Sequence, residues 1–473
     1  MWRKATDGEY HDEMLLARVV ATLTLALTAW SQTAPLSKPS APRIAQVTPD
    51  DARRPAEVSI AINPTNTDHM VAVLLQAGEP GAARVTNYAY SSLDGGRTWK
   101  GTAAPNPDQR VQGDDAIVFG RDGTAYHSYI GFDGIRVDRP ERAWSGIFVR
   151  STRDGLNWTT GVPVVDHINT AVPFEDKPWL GVDRAADSPH RGNIYVAWTR
   201  FDVYGSTQPT HRSHIMLSRS RDGGRSFSPA IEISDETGDA RDSDNTVEGA
   251  VPVSGPNGNV FIAWAGPKGI VFDRSTDGGW TFGKDVLVSA TPGGWDLPLL
   301  GLERHNGMPV TAVDLGDGPR KGTIYVNWID ERNGDLDVFI ASSGDNGRTW
   351  SPPARVNDDA KGAAQMFTWM AVDPVDGAIN LVFHDRRGRS GTMTSVTLAR
   401  SVDGGKTFVN YPLAVGAFDC CDRSGFFGDY NGIDAYGGRV VAAFPVLPAA
   451  HDLKTQSVLA AVADFRPGTQ EFR

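Results

Sequence analysis

Ser92-Leu93-Asp94-Gly95-Gly96-Arg97-Thr98-Trp99 is the stretch on which the reading of this sequence turns, because it recurs. The same pattern stands at residues 220–227, 275–282, 343–350 and 401–408, and a form one residue shorter is Thr152-Arg153-Asp154-Gly155-Leu156-Asn157-Trp158. Six copies at intervals of about 55 to 70 residues mark a repeat architecture, in which each unit buries its apolar face only against its neighbours. The residue types explain the turn. An Asp accepts hydrogen bonds from its own turn's amides, glycine supplies the positive φ of a tight hairpin, and the final Trp or Phe packs beneath.

A second repeat counts differently. Gly192-Asn193-Ile194-Tyr195-Val196-Ala197-Trp198 is matched at 258–264 and 322–328, more loosely at 123–129, 377–383 and 438–444, and most distantly at 69–75. Each is a strand of β-branched and aromatic residues after a turn, and there are seven. A short apolar strand precedes each, at 58–62, 116–119, 179–182, 250–253, 310–313, 370–372 and 432–435. The unit is therefore strand A, turn, strand B, loop, strand C, repeated turn, strand D. After the seventh B strand only a C strand at 457–462 fits, and Arg43-Ile44-Ala45-Gln46-Val47 ahead of the first unit supplies the missing fourth strand, closing a ring without a free edge. The expected fold is all-β: a single β-propeller of four-stranded antiparallel blades over residues 43–465, seven blades rather than the alternative six.

Composition agrees with many short strands joined by tight turns, with 51 Gly and 30 Pro in 473 residues. A net charge of −11 argues against a nucleic-acid partner, whose backbone attracts clustered Lys and Arg. The apolar run 19–30, with Ala29 and Ser31 as small residues at its end, reads as a signal peptide over 1–31, translation starting in earnest at Met14; a Pro- and Ser-rich linker follows over 32–42, and 466–473 form a tail. The expected protein is secreted or periplasmic, monomeric, and without a membrane span once processed.

With A innermost and running from top to bottom, the residues leading into A and the B–C loops lie on the top face, and the repeated turns on the bottom. The lead-ins carry Glu57, Asp114-Asp115, Glu175-Asp176, Glu248 and Asp429-Tyr430, so five of seven blades bring an acid toward the axis. The ends of three B strands bring Arg200, Arg332 and Arg386 to the same side, and guanidinium groups bind carboxylates through two parallel hydrogen bonds.

The Ser-x-Asp-x-Gly-x-Thr-Trp pattern resembles the Asp box, or BNR repeat, of the sialidase superfamily. That resemblance implies a scaffolding role for the six turns, a catalytic face opposite them, and a glycan or glycoconjugate ligand. Sialidases hold the sugar carboxylate with three arginines, use an Asp as acid/base, and attack with a Tyr activated by a Glu. Carried over, Asp115 is the acid/base, Tyr430 the nucleophile and Glu248 its base; Arg200, Arg332 and Arg386 form the clamp, and Asp176 and Asp429 contact substrate. The superfamily's enzymes have six blades, and their Arg-Ile-Pro motif has only Arg43-Ile44-Ala45 as its nearest string here. The expectation is an exported exo-glycosidase of sialidase type, requiring no cofactor. Two rivals stand beside it: a non-catalytic glycan- or protein-binding propeller, and a uronate-specific lyase drawing on His127 or His384 with Tyr126 or Tyr430.

Two smaller features complete the reading. Cys420 and Cys421 are adjacent, so a bond between them closes a strained ring; a vicinal disulfide and two thiols are both open. Asp239, Asp242, Asp244 and Glu248 make an acidic loop that suits a structural Ca²⁺, although without EF-hand spacing.

Overall fold

The computed structural model describes residues 41–78, 83–134, 143–170, 172–302, 304–420, 428–447 and 456–466. The expected leader, most of the linker, all but the first residue of the tail, and Cys421 lie outside them. Seven antiparallel sheets follow one another around a ring, each with four strands in sequential order, and two of them carry an extra two-residue strand. The A strands are Ala56–Ile62, Val111–Phe119, Phe174–Val182, Glu248–Ser254, Val310–Val313, Gln365–Val372 and Gly432–Tyr436. Residues from all seven line one central channel. The seventh sheet combines the two ends of the chain, with Arg43–Gln46 paired antiparallel to Ser457–Asp464 from Arg43 opposite Val462 to Gln46 opposite Leu459. The seven-bladed propeller expected from the B strands is thus the fold, closed by its N-terminal strand.

Why the ring holds is visible in where apolar side chains go. The B strands are buried on both faces, so each cluster of buried residues lies between two successive blades rather than within one. Trp198, Trp264 and Trp328, at the ends of the clearest B repeats, are at most 1% exposed and sit in three different inter-blade clusters. A blade removed would expose two such clusters. Burial of this size, at roughly 25 cal/mol per Å², makes neighbour contact the main source of blade stability.

The repeated turns have one hydrogen-bond pattern. Asp94 Oδ1 accepts the amides of Arg97 at 2.9 Å and Thr98 at 3.0 Å, Asp94 Oδ2 accepts the Thr98 hydroxyl at 2.7 Å, and the Gly96 amide donates to the Ser92 hydroxyl at 2.8 Å. Asp222, Asp277 and Asp345 repeat these bonds. Gly96 has φ +80°, and a Cβ there would stand 2.8 Å from Val462 of the seventh blade, so the position needs glycine twice over. The turn also fastens blades together: Ser91 of blade one donates to the Asp154 carbonyl of blade two at 2.7 Å.

Candidate active site at the top of the channel

In five blades the residues leading into the A strand belong to that strand and form a bulge. In blades one, two, three, four and six the A–B register slips at the same level, between Ala56 and Ser59, Gly113 and Ala116, Asp176 and Trp179, Glu248 and Val251, and Met366 and Trp369. Inside each slip one residue takes positive φ: Glu57 (53°), Asp114 (50°), Lys177 (51°), Gly249 (76°) and Phe367 (53°). Left-handed backbone at a non-glycine residue costs on the order of 1 kcal/mol or more, and bulges re-aim side chains near functional sites. The acids consequently do not share one structural position. Glu57 and Asp114 sit on the bulge, Asp115 follows it, and Asp176 and Glu248 precede it.

The bulges bring most of these side chains together around two cations that strand alternation did not single out, Lys177 and Arg304. Asp429 is the hub. Arg304 donates to it through Nε at 2.9 Å and through Nη2, Lys177 Nζ lies 3.4 Å from its Oδ2, and Asn306 donates to its carbonyl at 3.2 Å. Arg304 Nη1 also stands 4.0 Å from Asp242, which accepts the Tyr204 hydroxyl at 2.7 Å. Arg304 and Asn306 belong to a long connection from blade four to blade five that reaches over the top, where the Leu300 carbonyl accepts Arg386 Nη2 at 2.9 Å. Below the charged layer, Trp179, Trp369 and Tyr430 form an aromatic floor, with ring centroids 4.2, 5.3 and 5.6 Å apart in pairs, and Lys177 Nζ lies 4.9 Å from the Tyr430 ring centre.

Burial and neighbouring charges shift the carboxyl groups here in opposite directions. Burial, then the charges of Asp114 and Asp429, push the Glu57 carboxyl well above the usual range. Burial with Asp114 and Asp242 does the same to Asp176, and burial with Asp242 and Asp176 does it to Glu248. Burial opposes ionisation at Asp429 too, but Arg304 and Lys177 outweigh it and hold that carboxyl below its normal value. One oxygen each of Glu57 and Glu248 is buried without a hydrogen-bond partner. The arrangement offers a proton donor and a fixed negative charge in one water-poor recess.

Tyr430 lies in this recess with its hydroxyl donating to the Asp115 carbonyl at 3.2 Å, and burial followed by the charges of Glu57, Asp114, Asp115 and Asp429 pushes the phenol well above its normal value. Asp115 itself points away. Its Oδ1 is 2.5 Å from His127 Nε2, and Arg150 Nε donates to His127 Nδ1 at 3.0 Å, so the histidine donates from Nε2 to the carboxylate. Asp115, His127 and Arg150 are at most 1% exposed, and together they support the bulge that carries Asp114.

Other sequence-predicted groups bind partners of their own. Glu175 accepts Trp198 Nε1 at 2.5 Å and Arg200 Nε at 2.9 Å, with His167 Nε2 at 2.8 Å. Arg332 reaches Asp330 at 2.9 Å and the Ala290 carbonyl, and Arg386 is buried against Leu300 and Cys420. Arg200, Arg332 and Arg386 thus stand beside three different blades' partners rather than around one carboxylate. His384 is buried between the Pro445 carbonyl and Asn431, and Tyr126 lies against Gly223 and Gly224 of a bottom-face turn. Cys420 is disulfide-bonded, and Cys421 lies outside the described residues. Of the four acids of the expected Ca²⁺ loop, Asp239 accepts from Arg241 and Thr246 and Asp244 caps the amides of Trp295 and Asp296, whereas Asp242, which accepts from Tyr204, lies near enough to Glu248 for its charge to act on that carboxyl. Among the described residues no three or more His, Cys, Asp or Glu gather to hold a metal, and no helix is long and apolar enough to cross a membrane.

Lys177, Arg304 and Tyr204 stand in this charged cluster and were not singled out by the sequence reading. Lys177 had a signal, since it follows Glu175-Asp176; Arg304 sits in a segment with no strand pattern, and nothing local marks where it folds. No family model matches the chain, and no curated protein matches it. Solved structures do. A Hadza microbial sialidase is 15% identical over 91% of this chain and 93% of its own, with a TM-score of 0.46. Penicillium chrysogenum α-L-arabinanase is 13% identical over 91% and 99%, at 0.47. A polysaccharide lyase, an ulvan lyase, is 12% identical over 90% and 96%, at 0.48. These likenesses speak to the fold alone.

Proposed function

We propose that this chain is an extracytoplasmic glycoside hydrolase acting at the top mouth of its channel on a terminal sugar. One observation supports the reading: the buried carboxyls of Glu248 and Asp429, which share Arg304 and Lys177 as neighbouring charges, are shifted in opposite directions, as acid-assisted glycoside cleavage needs. Glu248, kept protonated and with a free oxygen, donates to the leaving oxygen. Asp429, kept ionised, stabilises the positive charge that develops at the anomeric carbon. Trp179 and Trp369 give the sugar ring a surface to stack on, and Asp176 accepts from its hydroxyls. Asp115 acts through Asp114 and Tyr430 as a positioning residue.

The sialidase-type assignment survives here in altered form. A Tyr430 nucleophile has to ionise where burial and four carboxyls oppose it, which favours a carboxylate in the central role. Arg304, half exposed, and Lys177 are the cations of the recess, and an anionic group on the substrate would share them with Asp429. A panel of fluorogenic aryl glycosides, an α-sialoside and several neutral sugars included, tests the class. Release of fluorophore supports it. New ultraviolet absorbance from an unsaturated uronate would transfer the protein to the lyases, and glycan binding without turnover would make it a binding module.

A further inference from the structure

On the outer edge of blade four, far along the sheet from the recess just described, two carboxyls stand across a strand pair with Lys284, hydrogen-bonded to Asp235, as the cation nearest to both. Strands Gly269–Ser275 and Val286–Ser289 pair Phe272 with Val286, so one step further the register sets Asp273 opposite Asp285. Like charges directly across a strand pair are destabilising. Asp273 is 1% exposed; its Oδ1 accepts the amides of Arg274 at 2.7 Å and Gly283 at 3.1 Å, while its Oδ2 is buried and unpartnered. Asp285 uses Oδ2 to accept the Asp235 amide at 2.9 Å, and its Oδ1 is likewise buried and unpartnered. The nearby cations are engaged elsewhere: Lys284 Nζ is 2.7 Å from Asp235 Oδ1, and Arg274 Nη1 donates to the Asn346 carbonyl at 2.6 Å.

The fold does not ask for an acid there. The position two residues before the turn's Ser or Thr is Tyr90, Arg150, Ser218, Ala341 and Ala399 in the other blades that carry the turn. Among these blades, blade four alone places a buried carboxyl at this point, and both it and Asp285 keep one buried oxygen without a hydrogen-bond partner. We propose that Asp273 and Asp285 form a binding site for a hard divalent cation of the Ca²⁺ type, completed by water from the open edge. Two carboxylates and water make a weak site, with a dissociation constant on the order of 0.1 to 1 mM, the range of extracellular calcium modules. Its occupancy ties the D strand of blade four to the segment around Asp235 in blade three. Burial first, and neighbouring carboxylates second, push both carboxyls up to about 6, so above that pH the pair is ionised and ready for a cation.

The test is thermal unfolding of the full chain at pH 7.5 in chelator and in about 10 mM CaCl₂, beside Tb³⁺ luminescence, for the wild type and for Asp273→Asn and Asp285→Asn. The site predicts a rise in Tm of about 2 °C or more in the wild type and saturable Tb³⁺ emission, both lost in each variant. A rise that persists in both variants overturns the assignment, because the cation then binds elsewhere. No rise and no Tb³⁺ emission in the wild type also overturns it, and identifies the pair as one that simply holds a proton. If Asp273→Asn does not fold, Asp285→Asn, whose side chain is nearer solvent, decides alone.

Discussion

The bottom rim and the top face are both furnished with carboxyl groups, and those groups behave in opposite ways. On the rim, Asp94, Asp222 and Asp277 each gather amide and hydroxyl donors from one short turn, with pKa values lowered to about 2; burial opposes this at all three, and the donors outweigh it. On the top, Glu57 and Glu248 are buried and Asp176 is half-buried, and desolvation together with neighbouring carboxyls pushes all three carboxyl groups well above their usual range. The difference lies in what surrounds each acid. An Asp that has been given donors is scaffold; an acid left facing other acids is a store of unsatisfied chemistry.

The comparison can be broken from either side, and the largest effect belongs to Asp429. Asp429→Asn removes the charge on which Arg304 and Lys177 both lean, so about 3 kcal/mol of stability goes with it, and turnover of any substrate found falls by about 10²- to 10⁴-fold. Denaturant unfolding and kcat/KM measure the two losses. Arg304→Ala is milder, about 1 to 2 kcal/mol, because half of the guanidinium is exposed to solvent. Asp94→Ala, which strips one rim turn of its acceptor, costs about 1 to 2 kcal/mol in unfolding and leaves kcat unchanged. Asp176→Asn goes the other way: removing a carboxyl that is costly to ionise stabilises the fold by about 0.5 to 2 kcal/mol while turnover falls. Either a stability loss there or a turnover loss at Asp94 would erase the distinction between the two faces.

Acid titration sharpens the same contrast. The rim carboxylates have folded-state values below their unfolded ones, so their contribution is complete above the unfolded value near 4 and disappears as pH falls toward about 2. The top-face acids have raised values, so the folded state binds their protons more tightly, and their ionisation costs stability as pH rises through those values. Asp94→Ala should therefore flatten the acid limb of a stability–pH curve slightly, and Asp176→Asn should flatten its neutral limb.

Blade number and closure could be read because turn chemistry and strand composition are local properties, repeated often enough to count. The B strands were decisive: the turn occurs six times and would have suggested a six-bladed ring. Lead-in acids were legible as a set, yet not their roles, since alternation presumes unbroken pairing and the bulges at Glu57, Asp114 and Lys177 break it. Asp115 shows the consequence. Adjacent to Asp114, it turns into the blade toward His127 instead of into the recess. Arg304 was invisible for a different reason, as it reaches Asp429 across 125 positions of sequence from a segment without periodicity. The three arginines at B-strand ends each have an acid or a carbonyl beside them, which the spacing of the strands does not reveal.

The most direct test of the central claim uses leaving groups. If Glu248 is the proton donor, Glu248→Gln should hydrolyse an activated aryl glycoside, whose departing phenolate needs no proton, at close to the wild-type rate. It should lose about 10²- to 10⁴-fold on an unactivated glycoside of the same sugar. Equal losses on both substrates, or none on either, would contradict the assignment of the top-face carboxyls as a proton-donating pair.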